Sequence, residues 1–303
     1  MLKKILQRFH LSTDPPSQLA LHLGSSTLAL AELSTGRISH CQQYSYQQGQ
    51  LANELSRLLT GVSKQTQLQL ILAPEFYQVV QLDKPALTDA EMLQALPWQI
   101  KDLVSIAPED IIADYIDLPG SGNSAAKINA VAASAAGLQQ LLKPIHEAGI
   151  NLTAIMPEEW LAGRLVTAGT QATMLVIHQP EQEVLIQIVR NGELYFSRRT
   201  RGFSRLHLAS AGELADGTLD RLQLELQRSM DYFESQLKQP PVRDIFLLMS
   251  EADSMCELFR QSGFSRVQPL PLPAIANTLS SEKLLHCWPA VTALTGIAQE
   301  SQQ

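Results

Sequence analysis

Few residue groups in this sequence have the types and spacing that catalysis requires. The segment Gly120-Ser121-Gly122-Asn123-Ser124-Ala125 spells the GxGxxA pattern of dinucleotide-binding turns, which act at the start of a helix. The next segment, Lys127 to Ala132, alternates like a strand, so we expect no cofactor there. The seven histidines are scattered singly, and no HExxH, GxxxxGK or GxSxG motif occurs. The sequence therefore predicts no catalytic residue and no metal site.

Two charged segments are candidates for binding. Glu158 and Glu159, beside Trp160, could supply carboxylates for acid/base work, but adjacent residues on a helix diverge by about 100°. We therefore expect a solvated helix start with favourable dipole placement. The run from Arg198 to Arg205 holds four arginines and one aromatic residue, enough to contact phosphate or an acidic partner. Because the formal net charge is −7, we expect a solvated surface, or a contact with protein or membrane, and no nucleic acid as partner.

Composition and cysteine usage indicate a globular protein of a reducing compartment. The chain has 303 residues, of which 45% are hydrophobic and 17% charged, which suggests two domains or one bilobal domain. Cys41, Cys256 and Cys287 are odd in number and far apart, so they form neither a disulfide framework nor a CxxC pair. We predict a cytoplasmic protein.

The first ten residues, MLKKILQRFH, are neither a signal peptide nor a membrane span. At helical spacing Leu2, Ile5, Leu6 and Phe9 share one face, with lysine and arginine around them. Such a face could lie on an anionic membrane surface or on a partner, or the segment could be a frayed terminal helix. Peripheral membrane contact through residues 1–10 therefore stays an open alternative.

The order of apolar residues predicts two lobes that open alike. From Leu19 to Leu33 the sequence alternates around Gly24-Ser25-Ser26, which indicates strand, tight turn and strand. Beyond Trp160 the same order returns, with Asn191-Gly192 as the hairpin turn. The remaining predicted elements of the lobes are strands at 37–46, 68–72, 174–177, 183–190, 193–199, 245–249 and near 267, and helices at 52–59, 219–237, 255–261 and 289–299.

Between the lobes, residues 75–145 predict a small β-α-β-β-α insert. A strand from Tyr77 to Leu82 precedes Thr88, which stands three residues before Glu91, the spacing of a capping box. The helix that follows should be interrupted or kinked by Pro97. Strands at 114–118 and 128–132 should pair as a hairpin, and a helix at 138–148 should end at Gly149.

Five stretches of the sequence resemble one family along nearly the whole chain. They are LALHLGSSTLALAEL, LDKPALTDAEMLQALPWQIKDLVSIAPEDIIADYIDL, AVAASAAGLQQLLKPIHEAGINLTAIMPEEWLAGRLV, VLIQIVRNGELYFSRRTRG and AVTALTGIA. In these stretches the chain resembles the PilM proteins of type IV pilus assembly, relatives of the cell-division actin FtsA, and more narrowly the MshI proteins of mannose-sensitive haemagglutinin (MSHA) pili.

The resemblance implies a fold and a partner. The fold is α/β: a two-lobed, actin-like (ribonuclease H-like) fold with the small insert and a shortened second lobe. We divide it into an N-terminal amphipathic tail (1–16), a first lobe (17–74 and 146–172), the insert (75–145), a second lobe (173–288) and a C-terminal helix returning to the first lobe (289–303). Members of the family bind ATP between the lobes and bind the cytoplasmic tail of the inner-membrane protein PilN beside the insert.

The chain departs from this family at the nucleotide contacts. The family's aspartate before the Gly-Ser-Ser turn and the lysine after it correspond to His22 and Ala29. Its second Asp-x-Gly turn corresponds to the segment Ile177-His178-Gln179-Pro180, and its glycine-rich adenosine loop to Ser250-Glu251-Ala252-Asp253. The turn itself survives in four residues whose amides could still cradle an anion. This weak nucleotide-binding remnant consists of Gly24, Ser25, Ser26 and Thr27.

We therefore predict a non-catalytic scaffold at the cytoplasmic face of the inner membrane, with a PilN-like partner and without ATP as cofactor. The predicted partner-binding residues lie on the insert helix and are Leu93, Leu96, Trp98 and Ile100. One alternative is a weak ATP-binding PilM-like enzyme that uses Arg190 or the run from Arg198 to Arg205. Another is an unrelated metabolic enzyme, for which the sequence offers no convergent acid, base and nucleophile. Self-association is left open.

Overall fold

The computed structural model describes residues 17–47, 49–119, 126–166 and 168–300. The N-terminal segment and the GxGxxA spelling at 120–125 lie outside these ranges. The strands of the described ranges are β1 (Gln18–Leu23), β2 (Thr27–Ser34), β3 (Arg37–Ser45), β4 (Gln67–Leu72), β5 (Gln78–Asp83), β6 (Ile111–Leu118), β7 (Lys127–Ser134), β8 (Asn151–Pro157), β9 (Ala172–Ile177), β10 (Val184–Arg190), β11 (Glu193–Thr200), β12 (Val242–Leu248) and β13 (Val267–Pro269). The helices longer than one turn in these ranges are α1 (Leu51–Leu59), α2 (Asp89–Ile100), α3 (Ala135–Ala148), α4 (Leu219–Ser235), α5 (Ala252–Gln261) and α6 (Ser281–Glu300).

The first lobe is a mixed sheet in the order β3-β2-β1-β4-β8. Strands β1 to β3 form an antiparallel meander, and β4 and β8 add parallel to β1. Successive side chains of a strand point to opposite faces. Leu21 of β1 packs with Leu55 of α1, whereas Ala20 lies in a different core cluster, which contains Trp288 of α6. The sheet is therefore covered on both sides by helices.

The insert has its own three-stranded sheet, in the order β5-β7-β6, and its own core. The predicted capping box forms, because Thr88 Oγ1 accepts from the Glu91 amide and the Glu91 carboxylate accepts from the Thr88 amide. The helix runs on through Pro97 to Ile100, so the expected interruption does not occur. Helix α3 also differs from our division of the chain. Its Ile145 packs with α1 in the core of the first lobe and not in the core of the insert.

The second lobe repeats the plan as a sheet in the order β11-β10-β9-β12-β13. The Asn191-Gly192 hairpin turn is confirmed, since both residues have positive φ, 55° and 80°. Helices α4 and α5 cover one face, where Phe233 and Phe259 are fully buried. Between β11 and α4 the chain forms only short helical segments and turns, as expected of a shortened second lobe.

Helix α6 lies against both lobes. It begins at Ser281, eight residues before the expected start at Pro289. Proline has no N–H, so Pro289 leaves the carbonyl of Leu285 without its helical partner. Gln179 supplies the missing donor from the second lobe, at 3.0 Å from the Leu285 carbonyl oxygen. This contact allows the helix to continue across the proline, which the sequence pattern alone predicted as a helix start.

Leu96 and Trp98, which flank Pro97 in the insert helix, should respond differently to truncation. Leu96 is 0% exposed and Trp98 is 69% exposed. We expect Leu96→Ala to destabilise the insert by about 2–5 kcal/mol through the cavity it leaves, and Trp98→Ala to change stability by less than about 0.5 kcal/mol. Urea unfolding combined with hydrogen exchange of β5 to β7 would measure both. Equal effects of the two variants would contradict the assignment of Leu96 to the core.

Candidate functional site

The insert helix does not present the four predicted partner-binding residues together. Leu96 and Ile100 are fully buried against the insert sheet, so their assignment to a partner surface is wrong. Leu93 and Trp98 are exposed, at 49% and 69%. The periodicity of apolar residues in one helix does not distinguish a residue that packs on its own sheet from one that contacts a partner. Two of the four predicted residues belong to the core of the insert.

The turn between β1 and β2 is held by contacts inside the first lobe. The amide of Gly24 donates to the Thr27 carbonyl at 2.8 Å, and the Tyr46 amide donates to the Ser26 carbonyl at 2.9 Å. A side chain on Gly24 would place its Cβ 3.0 Å from Thr27 Oγ1, which explains the glycine. Ser25 and Ser26 are exposed at the mouth of the turn. One of the four amides of the proposed anion remnant is thus already used by the turn itself.

Just inside this turn, His22 meets a buried carboxylate. His22 lies on β1 opposite Ala29 of β2, and its Nε2 is 2.6 Å from Glu158 Oε2. Glu158 follows the last residue of β8 and is 0% exposed. The expectation of a solvated Glu158-Glu159 helix start is therefore wrong. A signal was present in the sequence, because a carboxylate directly after a parallel strand lies at the edge of the sheet where sites collect.

The second lobe reaches the same carboxylate through Arg199. Its guanidinium pairs with Glu158 Oε1, and its Nε lies 3.3 Å from Glu159 Oε1. Arg199 stands on β11 opposite Leu185, next to the connection between β9 and β10. Gln187, also fully buried, donates to the Glu159 carbonyl at 2.7 Å. We call His22, Glu158, Glu159, Gln187 and Arg199 the cleft cluster.

Within the cleft cluster, Glu158 and Arg199 each stabilise the ionised form of the other. Burial alone would raise the pKa of the Glu158 carboxyl group, but the hydrogen bond and charge of His22 and the charge of Arg199 outweigh it and lower this pKa. Burial would lower the pKa of Arg199, and the two glutamates raise it instead. Burial raises the pKa of Glu159, which Arg199 only partly offsets. Glu158 and Arg199 are thus an ion pair whose members join opposite sides of the cleft.

The segment that replaces the second phosphate turn is also used for packing. The amide of His178 donates to the Leu248 carbonyl at 2.9 Å, and Gln179 bonds to α6 as described above. The space bounded by Gln179, Arg199 and Trp288 has a cavity volume of about 0 Å³. The space between this segment and α6 is therefore filled by side chains.

The other two positions that depart from the family pattern are Ala29 and the Ser250–Asp253 loop. Ala29 is 1% exposed and lies in the core cluster that contains Trp288, so no space is left for a lysine. In the Ser250–Asp253 loop, Glu251 adopts a left-handed conformation with φ of 51°, which favours glycine. Within the described residues no group of three His, Cys, Asp or Glu side chains could hold a metal ion.

Two larger concave surfaces are present, and Glu159 of the cleft cluster lines one of them. A groove of about 1070 Å³ runs along α3 between the first lobe and the insert. We call it the α3 groove, and its apolar lining is Ile112, Leu138, Leu142 and Ile155. A second cavity, of about 570 Å³, separates the insert sheet from β11 and α4 and is lined by Trp160, Tyr195, Phe196 and Tyr232. None of the predicted partner-binding residues lines either surface.

Comparison with solved structures shows what fold these elements form. The structure of a PilM-PilN type IV pilus biogenesis complex matches with a TM-score of 0.66 and 17% identity, over 94% of this chain and 98% of that chain. A Bacteroides thetaiotaomicron protein of unknown function with an actin-like ATPase fold matches with a TM-score of 0.50 and 13% identity, over 92% and 98% of the two chains. The chain has an actin-like fold.

The predicted fold class is therefore confirmed. The actin-like fold is also matched by the cytoplasmic domain of EpsL, an inner-membrane component of the type II secretion system of Vibrio cholerae, with a TM-score of 0.54 and 12% identity, over 92% of this chain and 95% of that domain. No protein-family model matches the sequence, and no curated protein matches it. None of the described helices of this actin-like chain has the length and apolar content to cross a bilayer.

Removing Arg199 should cost far more stability than removing its neighbour Arg198. Arg199→Met leaves the buried Glu158 with His22 alone as its partner, for which we expect a loss of about 3–5 kcal/mol. Arg198 also pairs with a glutamate, Glu225, but its side chain is 40% exposed and Arg228 pairs with the same carboxylate. Arg198→Met should therefore cost less than about 1 kcal/mol. Calorimetric unfolding of both variants measures the difference, and similar losses would show that Glu158 does not depend on Arg199.

Proposed function

We propose that this protein is a non-catalytic scaffold of a type IV pilus assembly machine, of the MSHA type, and that it binds the cytoplasmic tail of a PilN-like inner-membrane protein. In this proposal the protein works in the cytoplasm at the inner-membrane face. The likeness to a PilM-PilN complex along 94% of the chain supports the kind of partner. The likeness to the cytoplasmic domain of an inner-membrane secretion component supports the kind of machine.

The cleft cluster carries the non-catalytic part of the proposal. A magnesium ion requires carboxylate or water oxygens, yet Oε2 of Glu158 contacts His22 and Oε1 contacts Arg199. Phosphate would require free cations or amides, and Arg199, the arginine of the cleft cluster, is paired with two glutamates. The residues present therefore do not fit Mg-ATP, because admitting it would break a buried ion pair.

Two of the arginines that could have served an enzyme, Arg190 and Arg198, are held elsewhere. Arg190 lies at the end of β10 far from the cleft, where it donates to the Thr170 carbonyl at 2.9 Å and to Gln239 at 2.8 Å. Arg198 pairs with Glu225 on the outer side of β11. Neither side chain points a free charge at the β1–β2 turn. We therefore favour the scaffold over a weak ATPase.

The α3 groove is the surface we assign to the partner's tail. Strand β8 is an edge of the first-lobe sheet and β6 is an edge of the insert sheet, so both can add an extended peptide through backbone hydrogen bonds. Ile112 of β6 is 50% exposed and Ile155 of β8 is 36% exposed. These side chains would receive apolar residues of the tail. The groove lies between the first lobe and the insert, as we expected for the tail, but its anchors differ from the predicted ones.

Calorimetry should detect no tight Mg-ATP binding. We expect no saturable heat up to about 1 mM nucleotide, and little thermal stabilisation, whereas a ligand at a hundred times its Kd adds about 2.7 kcal/mol. The double variant His22→Asp, Ala29→Lys should improve binding only slightly, because the other contacts remain absent. It should also lose stability, because it buries an ammonium group at a 1% exposed position. Micromolar affinity of the unmodified chain would refute the proposal.

Tail binding should depend on the α3 groove. The probe is a synthetic peptide with the sequence of the cytoplasmic tail of a single-span inner-membrane protein of the same pilus system. Ile112→Asp should weaken its binding at least tenfold, because it places a charge where apolar side chains dock. The matched control is Leu103→Asp, at a 60% exposed position outside the groove. Fluorescence anisotropy measures both, and unchanged affinity of a folded Ile112→Asp variant would remove the groove from the site.

A further inference from the structure

The α3 groove is an apolar surface that the described residues leave uncovered. It extends from Asp110 at the insert to His146 near the end of α3. Helix α3 has 14 residues, so its axis is about 21 Å long. Exposed aliphatic side chains on β6 and β8 flank it, and grooves with apolar side chains at their edges can receive a peptide segment.

The chain enters the first lobe beside one end of this groove. Ser17 Oγ lies 2.8 Å from Thr66 Oγ1, and the Ser17 carbonyl accepts from the Gln67 amide at 3.0 Å. Two residues before Thr66, the side chain of Lys64 comes within 3.4 Å of the position of a Cβ on Gly149. Gly149 caps α3 and donates its amide to the His146 carbonyl. Ser17, the first described residue, therefore lies on the same side of the first lobe as the His146 end of the groove.

The sequence of the segment before Ser17 matches the groove in length and pattern. Leu2, Ile5, Leu6 and Phe9 share one face at helical spacing. Ten residues in a helix span about 15 Å, which fits along α3. The residues from His10 to Pro16 would extend over roughly 20 Å, enough to reach back from Ser17.

We propose that residues 1–10 occupy the α3 groove of their own chain and compete there with the partner's tail. The competition, but not the occupancy, rests on the proposed function. A short tether gives an effective concentration on the order of millimolar, so even weak intrinsic binding fills the groove. The apparent affinity of the tail then falls in proportion to the fraction of chains whose groove is open. Displacement of the segment would couple tail binding to release of its apolar face.

Thiol labelling tests the occupancy without the partner. Cys41, Cys256 and Cys287 are buried, so a cysteine introduced in the groove by Gln139→Cys is the reactive site. We expect a maleimide to label it at least fivefold more slowly in the full chain than in a chain lacking residues 1–10. Leu6→Ser with Phe9→Ser should reproduce the deletion, whereas Gln7→Ser, on the opposite helical face, should not. Leu103→Cys, outside the groove, is the control and should label equally in both chains.

The tail peptide gives the second readout. We expect deletion of residues 1–10 to tighten its binding about fivefold or more. If the peptide binds neither chain, the proposed function fails, and the labelling rates still decide the occupancy. Equal labelling of Gln139→Cys in both chains would overturn the inference. Equal labelling together with sedimentation of the full chain on phosphatidylglycerol vesicles would assign the segment to the membrane instead.

Discussion

The buried carboxylate of Glu158 is the constraint on which the arrangement of the two lobes depends. An ionised group with no solvent exposure is stable only when hydrogen bonds and opposite charge replace its hydration. His22 supplies one contact from the first lobe, and Arg199 supplies the other from the second. Rotating one lobe away from the other would strip Glu158 of a partner. The cluster therefore holds the two lobes together across the cleft.

The proline in α6 is a second feature that joins the two lobes. Pro289 frees a carbonyl, and the residue that satisfies it, Gln179, belongs to the segment that replaces a phosphate-binding turn. Trp288, 1% exposed, lies in one core cluster with Ala20 of the first lobe and Leu185 of the second. Gln179 and Ala29, two of the positions that differ from the PilM pattern, are thus part of the packing between the lobes.

The turns, caps and helix ends that depend on neighbouring residues were predicted from the sequence. The Asn191-Gly192 turn, the Thr88 capping box and the Gly149 helix end all formed, because each depends on a few neighbouring residues. The paired oxygens of Glu158 could not be predicted, because Arg199 is 41 residues away in the chain. The start of α6 was missed for the same reason, since a distant glutamine makes the proline tolerable. Leu96 and Ile100 were assigned to a surface because periodicity does not identify which side of a helix meets another element.

The magnitudes support the proposal that this actin-like fold does not respond to nucleotide. Separating a buried ion pair so that one charge loses its partner costs about 3–5 kcal/mol. A ligand present at a hundred times its Kd returns about 2.7 kcal/mol, which is less than that cost even before the core around Trp288 is exposed. Opening the cleft would thus cost more free energy than such a ligand returns on binding. The α3 groove lies outside this closed region, so its occupancy can change without moving the lobes, and a scaffold needs no more than that.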